Sequence, residues 1–301
     1  SPSPSDASGN AVYVVDIMTG NQIWKYSNSN NSAMKHCIPS DIALVDVDGN
    51  GLIERLYVGD VGGQIWRFDI GDMSNTAGWT GKVIFTASGK IFYPPDVTLE
   101  NDAGNYEMIF FGTGDREKPN DTSFVNTLYA IKDKNPATPL TESNDLVDVT
   151  QDLLQSNASQ TDKVNLLNNL KTKNGWYIRL NQSPGESQNL GEKCDAAALV
   201  IGGAVYFTTF TPSPASGVCT LGTGQGNVYI LQYQTGNALF NLSISNDLGE
   251  SQSTPILTVN DRSMSIGASM PSGIIITVIG STIKGFGGVA GGVFSPQLPN
   301  I

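Results

Sequence analysis

Residues 56–69 read Leu-Tyr-Val-Gly-Asp-Val-Gly-Gly-Gln-Ile-Trp-Arg-Phe-Asp. Apolar residues alternate on either side of Gly62-Gly63, the pattern of two half-buried strands joined by a tight turn. Working outward, the unit recurs. Residues 12–25 read Val-Tyr-Val-Val-Asp-Ile-Met-Thr-Gly-Asn-Gln-Ile-Trp-Lys, and residues 228–240 read Val-Tyr-Ile-Leu-Gln-Tyr-Gln-Thr-Gly-Asn-Ala-Leu-Phe. Thr19-Gly20, Gly62-Gly63 and Thr235-Gly236 supply the positive φ that such turns need. An aromatic residue follows each turn (Trp24, Trp66, Phe240), placed to pack between neighbouring sheets. Strand-turn-strand units repeated in this way predict an all-β chain whose sheets stack radially as the blades of a β-propeller.

Further strands are expected at Met108–Gly112, Thr127–Lys132, Trp176–Leu180, Ala197–Ile201, Ala204–Phe210, Ile274–Ile279 and Thr282–Phe286. The mostly apolar run Gly273–Ile279 reads as a buried strand. Between Asp145 and Lys173 the pattern changes. Leu166, Leu167 and Leu170 fall on one helical face, which predicts a short helical insertion at about Asp162–Thr172 between blades, covering a blade edge. The domain organisation is therefore a flexible start at 1–10, then a propeller over 11–301 with a helical insertion near 145–173. At some 40–50 residues per blade the chain holds four or five units. A closed ring usually needs more blades, which a preceding segment or another chain would supply; the sequence leaves open whether the propeller closes within this chain.

The 301 residues carry 17 Lys plus Arg against 28 Asp plus Glu, a formal net charge of −11. That balance excludes a nucleic-acid binder, which needs clustered cations against phosphate. It suits cation binding and solubility outside the cell. No apolar run is long enough to span a membrane. Of the three cysteines, Cys194 and Cys219 flank one hairpin region and are expected to pair, leaving Cys37 over.

The sharpest chemical motif is Asp46-Val47-Asp48-Gly49-Asn50-Gly51-Leu52-Ile53-Glu54. Oxygen-bearing side chains stand at its first, third and fifth positions, glycine at the sixth and a carboxylate at the ninth. A tight loop turns Asp46, Asp48 and Asn50 inward together, Gly51 permits the bend, the Leu52 carbonyl follows, and Glu54 closes the shell. That donor set suits calcium, which takes six to eight hard oxygens. The opening resembles an EF-hand loop, but Tyr57 stands where the twelfth-position Glu would be, and a strand follows instead of a helix. An ordinary Asx-rich turn is the competing reading, and it leaves three carboxylates together with no cation between them.

Weaker signals read as structure. Gly112-Thr113-Gly114-Asp115-Arg116 lacks the ending of a phosphate loop and reads as a blade turn. Asp60 and Asp69 read as turn caps. His36 is alone and completes no catalytic triad.

The run from Ala43 to Asp69 resembles the PilY/PilC-type family of type IV pilus biogenesis proteins. Phe111-Gly112-Thr113-Gly114, Gly175-Trp176-Tyr177-Ile178 with Gly185-Glu186, Val205 through Pro212 leading to Cys219 and Gly224, and the terminal Gly287-Gly288 and Pro296 extend the likeness. The resemblance implies a modified quinoprotein-like propeller and a calcium loop whose ligands map here to Asp46, Asp48, Asn50, the Leu52 carbonyl and Glu54. Asn50 and Glu54 replace a frequent Asp at their positions. It further implies an extracellular place at the pilus tip or outer cell surface and roles in pilus biogenesis, adhesion and twitching motility. Minor pilin subunits, a preceding segment of the parent protein and a host or surface ligand are the expected partners.

Three functions follow from these readings. The first is a non-enzymatic, calcium-binding pilus-associated protein. The second is a quinone-dependent dehydrogenase-like propeller, disfavoured because the loop belongs to one hairpin and is not assembled from several blades. The third is a glycan- or matrix-binding propeller without a pilus role.

Overall fold

Alternation of apolar side chains sorts the strands into five sheets that follow one another along the chain. The first pairs β1 (Ala11–Val15) with β2 (Gln22–Ser27). The second runs antiparallel through β3 (Ala43–Val45), β4 (Arg55–Gly59), β5 (Gln64–Asp69) and β6 (Thr80–Thr86). The third joins β7 (Asp96–Glu100), β8 (Tyr106–Gly112), β9 (Thr127–Asp133) and β12 (Gly175–Arg179). The short β10 (Leu140–Thr141) lies parallel on β6, and β11 (Val147–Asp148) lies parallel on β12. The fourth sheet holds β13 (Lys193–Cys194), β14 (Leu199–Ile201), β15 (Ala204–Thr211), β16 (Gln225–Gln232) and β17 (Ser263–Gly267). The fifth holds β18 (Ile275–Ile279), β19 (Thr282–Val289) and β20 (Gly292–Phe294). This computed structural model describes residues 6, 8–102, 104–151, 154–155, 158–180, 190–213, 224–243, 257–279 and 282–296.

The period-two geometry of a strand sends successive side chains to opposite faces, and here both faces of the inner sheets are covered. From β8, Tyr106, Met108 and Phe110 pack with Val205, Phe207 and Leu231 of the fourth sheet. Ile109 and Phe111 of the same strand pack with Ile65 and Phe85 of the second. The other side of the second sheet, with Leu56, Val58, Trp66 and Phe68, meets Trp24 and Tyr26 of the first. Ala204, Tyr206, Val228 and Ile230 turn from the fourth sheet toward Ile274 and Phe294, which flank and belong to the fifth. Four apolar layers thus join five sheets face to face in chain order, the stacking of propeller blades. Each large apolar side chain buried this way contributes about 1.5–3 kcal/mol, and β8 and β9, buried at every position, sit in the middle of the stack. Among the described residues, no apolar layer joins the fifth sheet to the first.

The hairpin turns form as expected. Gly20, Gly63 and Gly236 have φ of 72°, 82° and 72°. Asp60 caps the second turn, accepting from the Gly62 and Gln64 amides at 2.8 and 3.0 Å and from Trp66 Nε1 at 2.9 Å. After Gly236 the returning strand shrinks to an isolated bridge between Leu231 and Ala238, although Phe240 still packs on the last layer.

Several expectations are corrected. The helical insertion lies within the third sheet, between its neighbouring strands β9 and β12, and not between blades. Its helices are α1 (Glu142–Asp145) and α2 (Gln160–Thr172), the latter capped by the Ser159 hydroxyl on the Asp162 amide at 3.1 Å. The edge covering comes from β10 and β11, which the insertion carries. Leu166 and Leu170 are buried one turn apart, while Leu167, rotated by one residue, is 42% exposed. The expected buried strand is exposed at Ile275, 71% accessible: Ile274 faces the fourth sheet, so its neighbour points to the opposite face, which no apolar layer covers among the described residues. Part of the expected flexible start is tied down, since Asp6 donates its amide to Lys35 O and its carboxylate accepts from the Cys37 amide at 2.7 Å. Cys194 is a buried free thiol, and Cys219, its expected partner, lies outside the described residues.

Candidate metal site

The loop Asp46–Glu54 connects β3 to β4, whose register pairs Val45 with Arg55. The Glu54 amide extends the ladder by one bond to Val45 O at 3.1 Å. Within that closed base the loop folds around its own side chains. The Asp46 carboxylate accepts from the amides of Gly49 (2.7 Å), Asn50 (3.1 Å) and Gly51 (2.7 Å). Asp48 Oδ1 accepts from Asn50 N at 3.1 Å, and Asn50 Oδ1 from Leu52 N at 2.8 Å. Glu54 reaches back to the Val47 amide at 2.7 Å. Gly49 and Gly51 adopt φ of 75° and 89°. A Cβ at either would meet open space, so the left-handed backbone, and not crowding, requires glycine there.

The outcome is a half-exposed cluster in which one oxygen from each of Asp46, Asp48 and Glu54 lies within 4.8 Å of the others. Among the described residues no ion pair neutralises these carboxylates. Arg55, next along the chain, points away and pairs with Asp69 at 3.0 Å and with Glu107. Asn50 shares the loop, with its side-chain oxygen held by Leu52 N–H. The Leu52 side chain is 69% exposed. Sequence reading thus placed three carboxylates that the fold does bring together.

It did not find the polar cluster beside the loop. Arg67 bonds Asp69 at 2.6 Å and Asp133 at 3.0 Å, Tyr57 donates to Asp133 at 2.7 Å, and Arg55 reaches Glu107. Asp69 is therefore an ion-pair partner and not the turn cap expected. Burial beside Asp133 pushes the Tyr57 hydroxyl pKa well up. The clue available in the sequence was an arginine at an inward strand position, Arg67, which must find a carboxylate when buried. The Gly112–Arg116 segment is not the compact turn expected: Gly112 ends β8, Thr113 N–H donates to Thr127 O at 2.9 Å and Gly114 N–H to Lys90 O at 3.0 Å, and a turn begins only at Arg116. A Cβ at Gly112 would stand 2.4 Å from Cys194 Cβ, and one at Gly114 would stand 2.5 Å from Cys194 O, so these glycines serve close packing between sheets. His36 is buried against Gly62.

No family model matches the sequence. Two curated relatives, both named type IV pilus biogenesis factor PilY1 homolog and both from Xylella fastidiosa, align over 78% of the chain. One is 26% identical over 262 residues and the other 30% over 247. Over the region it spans, the chain is similar to the PilY1-type family. That region is a small part of the PilY1 homologues, 17% and 19% of their lengths. The crystal structure of the Pseudomonas aeruginosa PilY1 C-terminal domain superposes with a TM-score of 0.64 at 17% identity, covering 96% of this chain and 67% of that one. The PilY1-type fold therefore accounts for nearly the whole chain. No helix among the described residues is long and apolar enough to cross a membrane.

Proposed function

We propose that this chain is a non-enzymatic, calcium-binding part of a type IV pilus biogenesis factor, held outside the cell at the pilus tip or outer surface. The single observation that carries the metal reading is the 4.8 Å cluster of Asp46, Asp48 and Glu54 oxygens on one hairpin loop. Oxygens within 4.8 Å of one another can share one hard divalent ion. Calcium is favoured over magnesium because it accepts six to eight oxygen donors in a flexible shell, whereas magnesium demands a near-ideal octahedron and keeps several waters. Asn50 Oδ1 and the Leu52 carbonyl are the neutral donors that would add to the three carboxylates. The amides bonded to Asp46 and Glu54 hold those side chains in place before any ion arrives.

The pilus reading is supported by the names of the homologues and by the shared fold. In it, minor pilin subunits are the partners, and pilus biogenesis, adhesion to a host or other surface and twitching motility are the outputs. The calcium loop belongs to a single hairpin, which favours this reading over a quinone-dependent enzyme with an axial cofactor.

Two measurements on Asp46→Ala/Asp48→Ala test the parts separately. Calorimetry on the isolated chain is expected to show calcium binding in the parent and none in the variant, with unchanged circular dichroism. Surface pili counted on cells carrying the variant in the full-length protein are expected to lose any dependence on calcium. Equal calcium affinity in parent and variant sinks the site, while normal, calcium-responsive piliation sinks its role.

A further inference from the structure

An open cleft of about 520 Å³ lies away from the loop, lined among others by Tyr93, Arg116, Asp195, Met270, Pro271 and Ser272. These residues come from four separate connections: β6 to β7, β8 to β9, β13 to β14, and β17 to β18. The volume falls in the range of about 300–1,000 Å³ typical of small-molecule sites.

Asp195 is the anomaly in it. The residue is only 8% exposed, yet neither carboxylate oxygen has a hydrogen-bond partner. The Thr208 hydroxyl nearby is also buried without one. Burial pushes the Asp195 pKa up to about 7; its own amide and the Thr208 hydroxyl, close by but outside hydrogen-bond geometry, and the Arg116 charge oppose this only in part. Buried polar groups are normally satisfied, and leaving one unmet costs about 1–3 kcal/mol. A ligand that donates hydrogen bonds to Asp195 removes that cost.

The rest of the wall limits what the ligand is. Arg116 is exposed, sits 5.8 Å from the Tyr93 ring centre, and makes no ion pair among the described residues. The cleft therefore presents an acceptor, a charged donor, an aromatic ring and the apolar surfaces of Met270 and Pro271. A cationic ligand would face Arg116, an anionic one would face Asp195, and a wholly apolar one would leave both unmet. A sugar ring answers all of them: adjacent hydroxyls donate to a carboxylate and accept from a guanidinium, and the C–H face packs on an aromatic ring. We propose that this cleft binds a neutral saccharide, with Asp195 and Arg116 fixing its hydroxyls and Tyr93 carrying its apolar face. The proposal does not rest on the calcium or pilus reading, since no loop residue from Asp46 to Glu54 lines the cleft.

Saturation-transfer NMR and titration on the full chain test it with the methyl glycosides of glucose, galactose, mannose and N-acetylglucosamine. Lysine amide and glucuronate serve as charged comparators. At least one glycoside is expected to bind, and Asp195→Asn and Arg116→Ala are each expected to weaken it at least tenfold. Asp46→Ala/Asp48→Ala should leave that binding unchanged. Asp195→Asn is nearly isosteric, and Arg116 is exposed, so the second variant reports on the cleft even if the first perturbs folding. The proposal is overturned if none of the four glycosides binds, if the bound one is indifferent to both substitutions, or if either charged comparator binds better than all four.

Discussion

Arg67 and Asp133 form a buried ion pair between the second and third sheets: Arg67 Nη1 stands 3.0 Å from Asp133 Oδ2, with side-chain exposures of 6% and 0%. Asp133 also accepts from the Tyr57 hydroxyl, and Arg67 also bonds Asp69. The pair is therefore the centre of a satisfied network at a boundary otherwise filled by apolar packing.

Removing Arg67 leaves Asp133 charged and buried without its counter-ion, held only by the Tyr57 hydroxyl and the Asn135 amide. Arg67→Ala is expected to destabilise the chain by about 3–5 kcal/mol, because a stranded buried charge costs more than the pair returns. Replacing Arg67 with Met and Asp133 with Leu together should cost far less than the two single changes summed. Urea unfolding of the four proteins in the cycle measures this, and simple additivity would show that the two residues are not coupled.

Gly20 and Gly63 have nearly the same positive φ, 72° and 82°, but different surroundings. A Cβ at Gly20 meets nothing within 4 Å, whereas one at Gly63 would stand 2.7 Å from the carbonyl oxygens of Ala87 and Gly89. Gly20→Ala is expected to cost about 1–2 kcal/mol, the strain of a left-handed residue. Gly63→Ala adds a clash with backbone and should cost clearly more. Matched midpoints in denaturant would show that the loop at Ala87–Gly89 yields without penalty.

Asp195 makes stability fall as the solution turns from acid to neutral. Its folded pKa, about 7, is raised above the ordinary value of 3.8, so the folded state holds a proton that the unfolded chain has released between those values. Its contribution is most favourable below about pH 4 and is lost as pH rises through 7, by about 1.4 kcal/mol for each unit of difference. Asp195→Asn is expected to flatten this limb of the stability profile. Thermal melts of both proteins from pH 4 to 8 read it directly, and parallel profiles would place the carboxyl in water.

The local elements were legible because their causes are local. The alternation on either side of Gly62-Gly63 and the oxygen spacing from Asp46 to Glu54 lie within single hairpins, so side-chain period and turn chemistry suffice. What escaped depends on residues far apart in sequence. Arg67 and Asp133 are separated by 66 positions, and no spacing rule pairs them. The insertion shows the same limit: its helix was visible in Leu166 and Leu170, but its place inside the third sheet follows from β9 pairing with β12 across it. The exposure of Ile275 likewise depends on whether another layer covers its face of the fifth sheet, which apolar content does not reveal. Asp195 gave no sequence signal, because its burial is set by connections from four parts of the chain.

We propose that the Asp46–Glu54 hairpin holds one hard divalent ion. Titration of calcium into the chelator-stripped chain, followed by calorimetry with magnesium as competitor, is the most direct test. Saturable binding of a single ion is expected, with a dissociation constant between about 10⁻⁷ and 10⁻³ M, little disturbed by equal magnesium. Absence of saturable heat at calcium up to about 10 mM, well above that range, would contradict it.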